Sequence, residues 1–415
     1  MFTVEKEVLK EYAKLAVEFG VNVQKGQQLE IRGSVEAYEL IRECAKAAYR
    51  KGASKVIVEY YDDTKTRYDY EYVETDELCK VPNWQLEKTQ ENIDNGYCRL
   101  FIASNDPKLL NGIDVEKVRK VSTARMNATK QFQYYSMNNV GQWSILAYPE
   151  KHWARQVFPD IKDDDEAMKA LWEAILMASR VELGKTEENW EKHNKEIRDH
   201  CDILNKYNFK SLHFTNGLGT DLTVGLIENH IWQGGSDLSI GKYPCDFNPN
   251  IPTEEVFTMP DRYHIDGVVY STKPLSYNGN VIPSFSLTFK DGKVVDYYAK
   301  ENKEILKGLL ETDEGSTSLG EVALISHDSP ISNSGLLFYE TLFDENASCH
   351  LALGACYPTN VKNGTEINEN ELYDLGGNIS MEHCDFMFGS SDMHITGLTH
   401  DGEEIVVFDK GNFVI

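Results

Sequence analysis

The run Gln28-Leu29-Glu30-Ile31-Arg32-Gly33 alternates like a short strand that ends in glycine, and Lys55-Val56-Ile57-Val58-Glu59-Tyr60 is a second strand-like run. Between them, Ser34 is a suitable N-cap for a helix and Gly52 is a suitable terminator. The order strand, helix, strand predicts a βαβ unit, and such units build parallel sheets. These two runs therefore indicate an α/β fold for the beginning of the chain.

The remainder of the first 205 residues agrees with this interpretation. Arg99-Leu100-Phe101-Ile102-Ala103 predicts a further apolar strand, and apolar residues at helical spacing predict a helix over residues 3–19 that stops at Gly20. Residues 163–204 are expected to form one or two helices, and their charged part is the best candidate for a domain connection. The sequence has neither GxGxxG nor GxxxxGK[ST], so the sheet carries no nucleotide-binding motif. We expect an N-terminal α/β domain with a parallel-type sheet at residues 1–205.

The character of the sequence changes after residue 206, where glycines become frequent. The alternating run Ser284-Phe285-Ser286-Leu287-Thr288-Phe289 precedes Asp291-Gly292, which is a strong hairpin signal, and Asp401-Gly402 gives a second one. A helix is expected over Lys300–Leu310. We therefore expect an α+β C-terminal domain rich in antiparallel strands at residues 206–415, and we assign the catalytic site to it.

Composition excludes several classes of protein. The net charge of −25 is uneven, since residues 1–205 hold 30 basic and 36 acidic side chains whereas residues 206–415 hold 12 and 31. Such a surface repels a phosphate backbone, so nucleic acid is not an expected partner, whereas a metal or a cationic ligand is. No apolar run is long enough for a membrane helix. The acidic N-terminus does not resemble a signal peptide, and the eight cysteines form no CxxC pair, so we expect free thiols and a cytoplasmic protein.

Several acids and histidines interrupt apolar runs of the C-terminal half. In His383-Cys384-Asp385, the two polar side chains would share one face of a strand, which suits a metal. A structural hydrogen bond between them is the alternative. His350 starts an otherwise apolar run, where a core histidine is the ordinary interpretation, and Tyr357 by itself would be a packed tyrosine.

The acids in this half are ambiguous when taken singly. Glu345 would usually be a loop acid, and Glu321 could be an exposed strand start, since burying it unpaired is costly. Glu254 and Glu255 are adjacent, so on an extended chain at most one faces a given site. Taken together, the candidates supply about four carboxylates and two imidazoles, which is the ligand set of a dinuclear hydrolytic site. The absence of HExxH argues against a mononuclear zincin.

Four runs resemble a known family, the thermophilic aminopeptidases of the aminopeptidase T, AmpS and PepS group. They are Asn250-Ile251-Pro252-Thr253-Glu254-Glu255-Val256-Phe257-Thr258, Leu319-Gly320-Glu321-Val322-Ala323-Leu324, Leu342-Phe343-Asp344-Glu345-Asn346-Ala347-Ser348-Cys349-His350-Leu351-Ala352-Leu353-Gly354 and His383-Cys384-Asp385-Phe386-Met387-Phe388-Gly389. The similarity extends over nearly the whole chain, so the combination is specific.

The resemblance implies particular roles for residues. The metal ligands of the family correspond to Glu255, Glu321, Glu345, His350, His383 and Asp385. Its active-site tyrosine corresponds to Tyr357, and we choose Glu321 as the bridging and catalytic carboxylate, with Glu254 as a weaker candidate for the base. The resemblance also implies a homodimer and removal of the N-terminal residue from short peptides.

The expected function is therefore that of a metallo-aminopeptidase that uses two divalent ions per chain, zinc, cobalt or manganese, and an activated water. The expected substrates are short peptides with a free N-terminus. A dinuclear phosphoesterase is one alternative, although the C-terminal half has only 12 basic residues with which to hold phosphate. A metal-stabilised peptide-binding protein is the other.

Overall fold

The prediction of a parallel sheet near the N-terminus is confirmed by the computed structural model, which describes residues 2–277 and 280–415. The helices are α1 (Lys6–Leu15), α2 (Tyr38–Lys51), α3 (Asp63–Tyr72), α4 (Thr75–Leu78), α5 (Asn83–Asn95), α6 (Val115–Ala128), α7 (Lys130–Met137), α8 (Lys151–Val157), α9 (Asp164–Ala178), α10 (Thr186–Tyr207), α11 (Lys303–Leu310), α12 (Pro330–Ser334), α13 (Thr341–Asp344) and α14 (Glu369–Asp374). None of the helices in the described residues is long and apolar enough to cross a membrane.

Short 3-10 and π-helical turns and the strands make up the remaining regular structure. The strands are β1 (Gln28–Ser34), β2 (Lys55–Tyr61), β3 (Cys98–Ala103), β4 (Trp143–Ala147), β5 (Ser211–Thr215), β6 (Asp221–Leu226), β7 (Asp237–Leu238), β8 (Asp246–Phe247), β9 (Val256–Thr258), β10 (Pro260–Tyr270), β11 (Leu275–Tyr277), β12 (Asn280–Ile282), β13 (Phe285–Lys290), β14 (Lys293–Ala299), β15 (Leu319–Leu324), β16 (His350–Gly354), β17 (His383–Met387), β18 (His394–Leu398), β19 (Glu404–Asp409) and β20 (Asn412–Phe413).

The described chain divides into two compact units. The first contains residues up to 194 together with 235–253 and 337–342, and the second contains residues 195–234, 254–336 and 343–415. The expected boundary between residues 205 and 206 stays a prediction. Every candidate metal ligand and Tyr357 lie in the second unit, so the site is formed by that unit.

The first unit contains the predicted βαβ arrangement. Strands β2, β1, β3 and β4 form a parallel sheet in that order. Ser34 caps the turn before α2 by accepting a hydrogen bond from the N–H of Glu36, and α2 ends at Gly52 with a positive φ of 104°. The predicted N-terminal helix is shorter than expected, because α1 passes into one π-helical turn, Ala16–Gly20.

The second unit contains the antiparallel strands that were predicted. One sheet has the order β14-β13-β10-β6-β5-β18-β19-β20. The predicted hairpins are confirmed, since Asp291-Gly292 joins β13 to β14 and Asp401-Gly402 lies between β18 and β19. A smaller antiparallel sheet has the order β17-β16-β15-β9, and its strands carry four of the candidate ligands, Glu321, His350, His383 and Asp385.

Candidate metal centre

The register of the small sheet places four of the candidate ligands on one face. Residues that pair directly across antiparallel strands point to the same side of a sheet. Glu321 on β15 pairs with Ala352 on β16, which pairs in turn with Asp385 on β17. His350 lies two residues before Ala352, and His383 lies two residues before Asp385. Because the strands are antiparallel, the two histidines flank this row from opposite sides. The observed register therefore brings together side chains that are up to 64 residues apart in sequence.

The opposite face of the same sheet is apolar. Val322, Leu324, Leu351, Leu353 and Phe386 are all buried in the main hydrophobic core of the second unit. This division explains why single polar residues interrupt apolar runs in the sequence, since alternate residues of each strand face the core and the site. On the face that carries the candidate ligands, Ala352 pairs with Glu321 and Ala323 pairs with His350. Both alanines have small side chains, which suits a site among larger ligands.

Two triads of possible ligand atoms lie on this face. Glu255, Glu321 and His350 form one, and Glu321, His383 and Asp385 form the other, with the atoms of each triad within 4.8 Å of one another. Glu321 belongs to both triads. It is only 4% exposed, so the alternative that it is an exposed strand start is wrong.

The distances within the triads are short. Nε2 of His350 lies 3.2 Å from Oε1 of Glu321 and 3.2 Å from Oε2 of Glu255. Nε2 of His383 lies 3.5 Å from Oε2 of Glu321 and 3.4 Å from Oδ1 of Asp385. The two imidazoles therefore approach Glu321 through different carboxylate oxygens, which is the arrangement that a bridging carboxylate needs.

Backbone carbonyls orient both imidazole rings. Nδ1 of His350 donates to the carbonyl of Glu345 at 3.0 Å, and Nδ1 of His383 donates to the carbonyl of Ala355 at 2.7 Å. A carbonyl can only accept, so the proton of each neutral ring is fixed on Nδ1. Nε2 of each ring is then the atom available to a metal, as in established metal sites.

The donor set fits divalent cations. Oε2 of Glu255 is buried and accepts no hydrogen bond from any residue that the structure describes, although Nε2 of His350 is close to it. A buried carboxylate oxygen without a hydrogen bond is costly, and a bound cation would remove that cost. Carboxylate and imidazole donors together suit zinc, cobalt or manganese.

Glu345 and Tyr357 border the two triads. Glu345 lies outside both of them, in the turn Glu345–Ala347 before β16, but the charges of Asp385 and Glu255 act on it. The Tyr357 ring contacts the His383 ring edge-on, with their centroids 4.9 Å apart, and it also contacts Phe257. The structure thus brings every predicted site residue to one region of the second unit, with Glu345 and Tyr357 at the margin of the ligand cluster.

The charges of the cluster shift the pKa values of its members in opposite directions. Burial alone would lower the pKa of His350, but its carboxylate neighbours raise it well above the ordinary value. His383 behaves in the same way, because Tyr357, Asp385 and Glu321 outweigh its burial. Burial also opposes ionisation of Glu321, yet hydrogen bonding to the two imidazoles lowers its pKa.

Metal binding should therefore release protons. Because the pKa values of His350 and His383 are raised, the metal-free site holds protons near neutral pH that a metal must displace. We expect metal affinity to rise with pH and proton release to accompany binding at pH 7. Calorimetric titration in buffers of different ionisation enthalpy measures this release, and a binding enthalpy independent of the buffer would contradict the expectation.

Sequence reasoning missed two residues of this region. Asn346 follows Glu345, and its side chain accepts a hydrogen bond from the N–H of Glu254. Phe257 follows Glu255 by two residues and packs against Tyr357. Each lies within two residues of a candidate ligand, and this is the sequence feature that could have identified them. An asparagine in a turn and an apolar residue in a strand are, however, too common to indicate a functional site.

Comparison with known proteins identifies relatives of this chain. The family model described as thermophilic metalloprotease (M29) matches residues 5–413. Aminopeptidase AmpS of Bacillus subtilis is 42% identical over 98% of this chain and 98% of that protein. Aminopeptidase T of Thermus thermophilus is 39% identical over 99% of both chains.

A solved structure extends the similarity to three dimensions. Wild-type AmpT from Thermus thermophilus matches with a TM-score of 0.90 and 38% identity, covering 99% of this chain and 100% of that one. The family resemblance of the four sequence runs and the predicted fold class are thereby confirmed. The chain belongs to the thermophilic metalloprotease (M29) family.

Proposed function

We propose that two divalent ions serve the aminopeptidase reaction of this chain, with Glu321 shared between them. Membership of a metalloprotease family and relatives named as aminopeptidases make the chain a metal-dependent aminopeptidase. The observation that carries the two-ion proposal is the presence of Glu321 in both triads. Glu255, Glu345 and His350 would hold one ion, and His383 and Asp385 the other.

Ions bound by these residues would supply Lewis-acid polarisation of the scissile carbonyl and a nucleophile from water near neutral pH. The residues of the chain supply positioning and charge. We propose that the α-ammonium group of the substrate is held by the carboxylate-rich face, which explains a preference for a free N-terminus. Fixing the N-terminus here would limit cleavage to the first peptide bond.

Tyr357 is suited to stabilise the developing oxyanion. Burial raises the pKa of its hydroxyl above the ordinary value, so the hydroxyl remains protonated and able to donate at neutral pH. A preorganised donor of this kind is worth about 10²–10³ in rate. A carboxylate must also carry a proton to the leaving amine, and Glu254 remains the weaker candidate for this base.

Zinc, cobalt and manganese are the proposed metals, because carboxylates and imidazoles bind all three and availability often decides between them. A cytoplasmic location is proposed as well, since each of the eight cysteines is a free thiol, as expected in a reducing compartment. The family resemblance supports a homodimer. Residues 206–415 are the proposed catalytic domain.

Metal removal and replacement tests the proposed function. The protein is stripped with a chelator, supplied with zinc, cobalt or manganese, and mixed with short peptides that are either free or N-acetylated. We expect no cleavage by the stripped protein, restored release of the first residue from the free peptides, and little from the acetylated ones. Binding of two metals without any peptide cleavage would contradict the proposal, and phosphate esters would then be the next substrates to test.

A further inference from the structure

Asn346 joins two segments of the second unit that supply candidate ligands. It lies in the turn Glu345–Ala347 and is fully buried, with 0% of its surface exposed. Its Oδ1 accepts the N–H of Glu254 at 2.7 Å, and its Nδ2 donates to Oε1 of Glu345 at 3.4 Å. One amide side chain therefore connects the backbone next to Glu255 with the carboxylate of Glu345, although these ligands are 90 residues apart.

The contact between Asn346 and Glu254 lies just beyond the end of a strand ladder. Strand β9 is the outermost strand of the small sheet, and its ladder with β15 ends at the pair Val256 and Leu324. On its other side, Phe257 forms one isolated bridge with Gln233. Glu255 precedes the pair Val256 and Leu324, so the β9–β15 ladder leaves its backbone unpaired. The hydrogen bond from the N–H of Glu254 to Asn346 fixes the backbone just before Glu255.

Glu255 and Glu345 also repel each other. Both side chains are proposed ligands of one ion, and the charge of Glu255 acts on Glu345. Like charges that must face one ion separate unless the structure holds them. An uncharged amide can accept from a backbone N–H and donate to a carboxylate at the same time, which no carboxylate can do.

We propose that Asn346 is a positioning residue that holds Glu255 and Glu345 in place for the ion they share with His350. This inference rests on the proposed ligand roles. The second ion, assigned to His383 and Asp385, has no ligand on either segment that Asn346 connects. Loss of the Asn346 amide should therefore weaken one of the two metal sites much more than the other.

The test compares Asn346→Ala and Asn346→Asp with the wild-type protein in metal titrations against a competing chelator. Asn346→Asp keeps an acceptor for the N–H of Glu254 but repels Glu345, so it separates the two contacts. We expect affinity for one ion to fall about 10–100-fold in both variants, as for other residues that orient metal ligands. We also expect affinity for the second ion to be kept and activity to return at high metal concentration.

Asn205→Ala is the matched control, because the Asn205 side chain bonds to both the N–H and the carbonyl of Trp232 in the same unit. The control should bind both ions as the wild-type protein does. Unchanged affinity for every ion in Asn346→Ala, or equal weakening of both ions, would overturn the positioning role. A wild-type stoichiometry of one ion would instead overturn the two-ion proposal, while the affinity of that ion in Asn346→Ala still decides the role of Asn346.

Discussion

Replacing Glu321 with Gln is expected to remove both ions and to lower peptide hydrolysis about 10³-fold, since Lewis-acid stabilisation is worth several kcal/mol and each 1.36 kcal/mol is a factor of ten. Glu321 is the residue common to both triads, and each of its oxygens approaches a different imidazole. The amide of Gln has nearly the same shape but only one acceptor oxygen and no charge. It therefore cannot be shared between two ions, and without the negative charge it holds neither of them firmly.

Metal analysis and steady-state kinetics on the same protein preparation measure this effect. Glu404→Gln is the control, because Glu404 is an exposed acid on β19. The control should retain two ions and the wild-type rate. If Glu321→Gln kept both ions and a wild-type rate, Glu321 could not be the shared ligand.

Replacing Tyr357 with Phe should lower kcat about 10²–10³-fold while both ions remain bound, because the substitution removes only a donor to the oxyanion. The Phe ring can keep the edge-on contact with His383 and the contact with Phe257. Metal content and KM should therefore stay close to the wild-type values, while kcat falls. Such a pattern identifies an interaction made in the transition state.

Tyr298→Phe is the control for this substitution, since Tyr298 is 60% exposed on β14. It removes a hydroxyl from the same unit without an expected effect on kcat. Loss of metal in Tyr357→Phe would indicate that the hydroxyl supports the ligands. An unchanged kcat would exclude Tyr357 from the oxyanion role.

The fold followed from local sequence signals to a large extent. The strand runs at residues 28–33 and 55–60 predict the parallel sheet, because apolar alternation, a serine cap and a terminal glycine are local features. The hairpins at Asp291-Gly292 and Asp401-Gly402 were predicted for the same reason. The helix expected over Lys300–Leu310 begins only at Lys303, directly after Asn302 at the N-cap position, where asparagine is a preferred residue.

The site depends on long-range register, which no local pattern contains. Taken alone, Glu321 fitted an exposed strand start and His350 fitted a core histidine. Their residue types together suggested a dinuclear ligand set, and the family resemblance then gave each residue its role. The pairing of β15, β16 and β17 is what brings these residues onto one face. Asn346 was missed because its importance depends on a contact with Glu254, 92 residues away.

Anomalous diffraction from crystals of the metal-loaded protein, recorded at the absorption edge of the added metal, tests the central claim most directly. We expect two peaks about 3.5–4 Å apart, as in other two-metal sites, on the face of the small sheet that carries Ala323 and Ala352. A carboxylate oxygen of Glu321 should lie next to each peak. A single peak, or two peaks without Glu321 between them, would contradict a shared dinuclear centre.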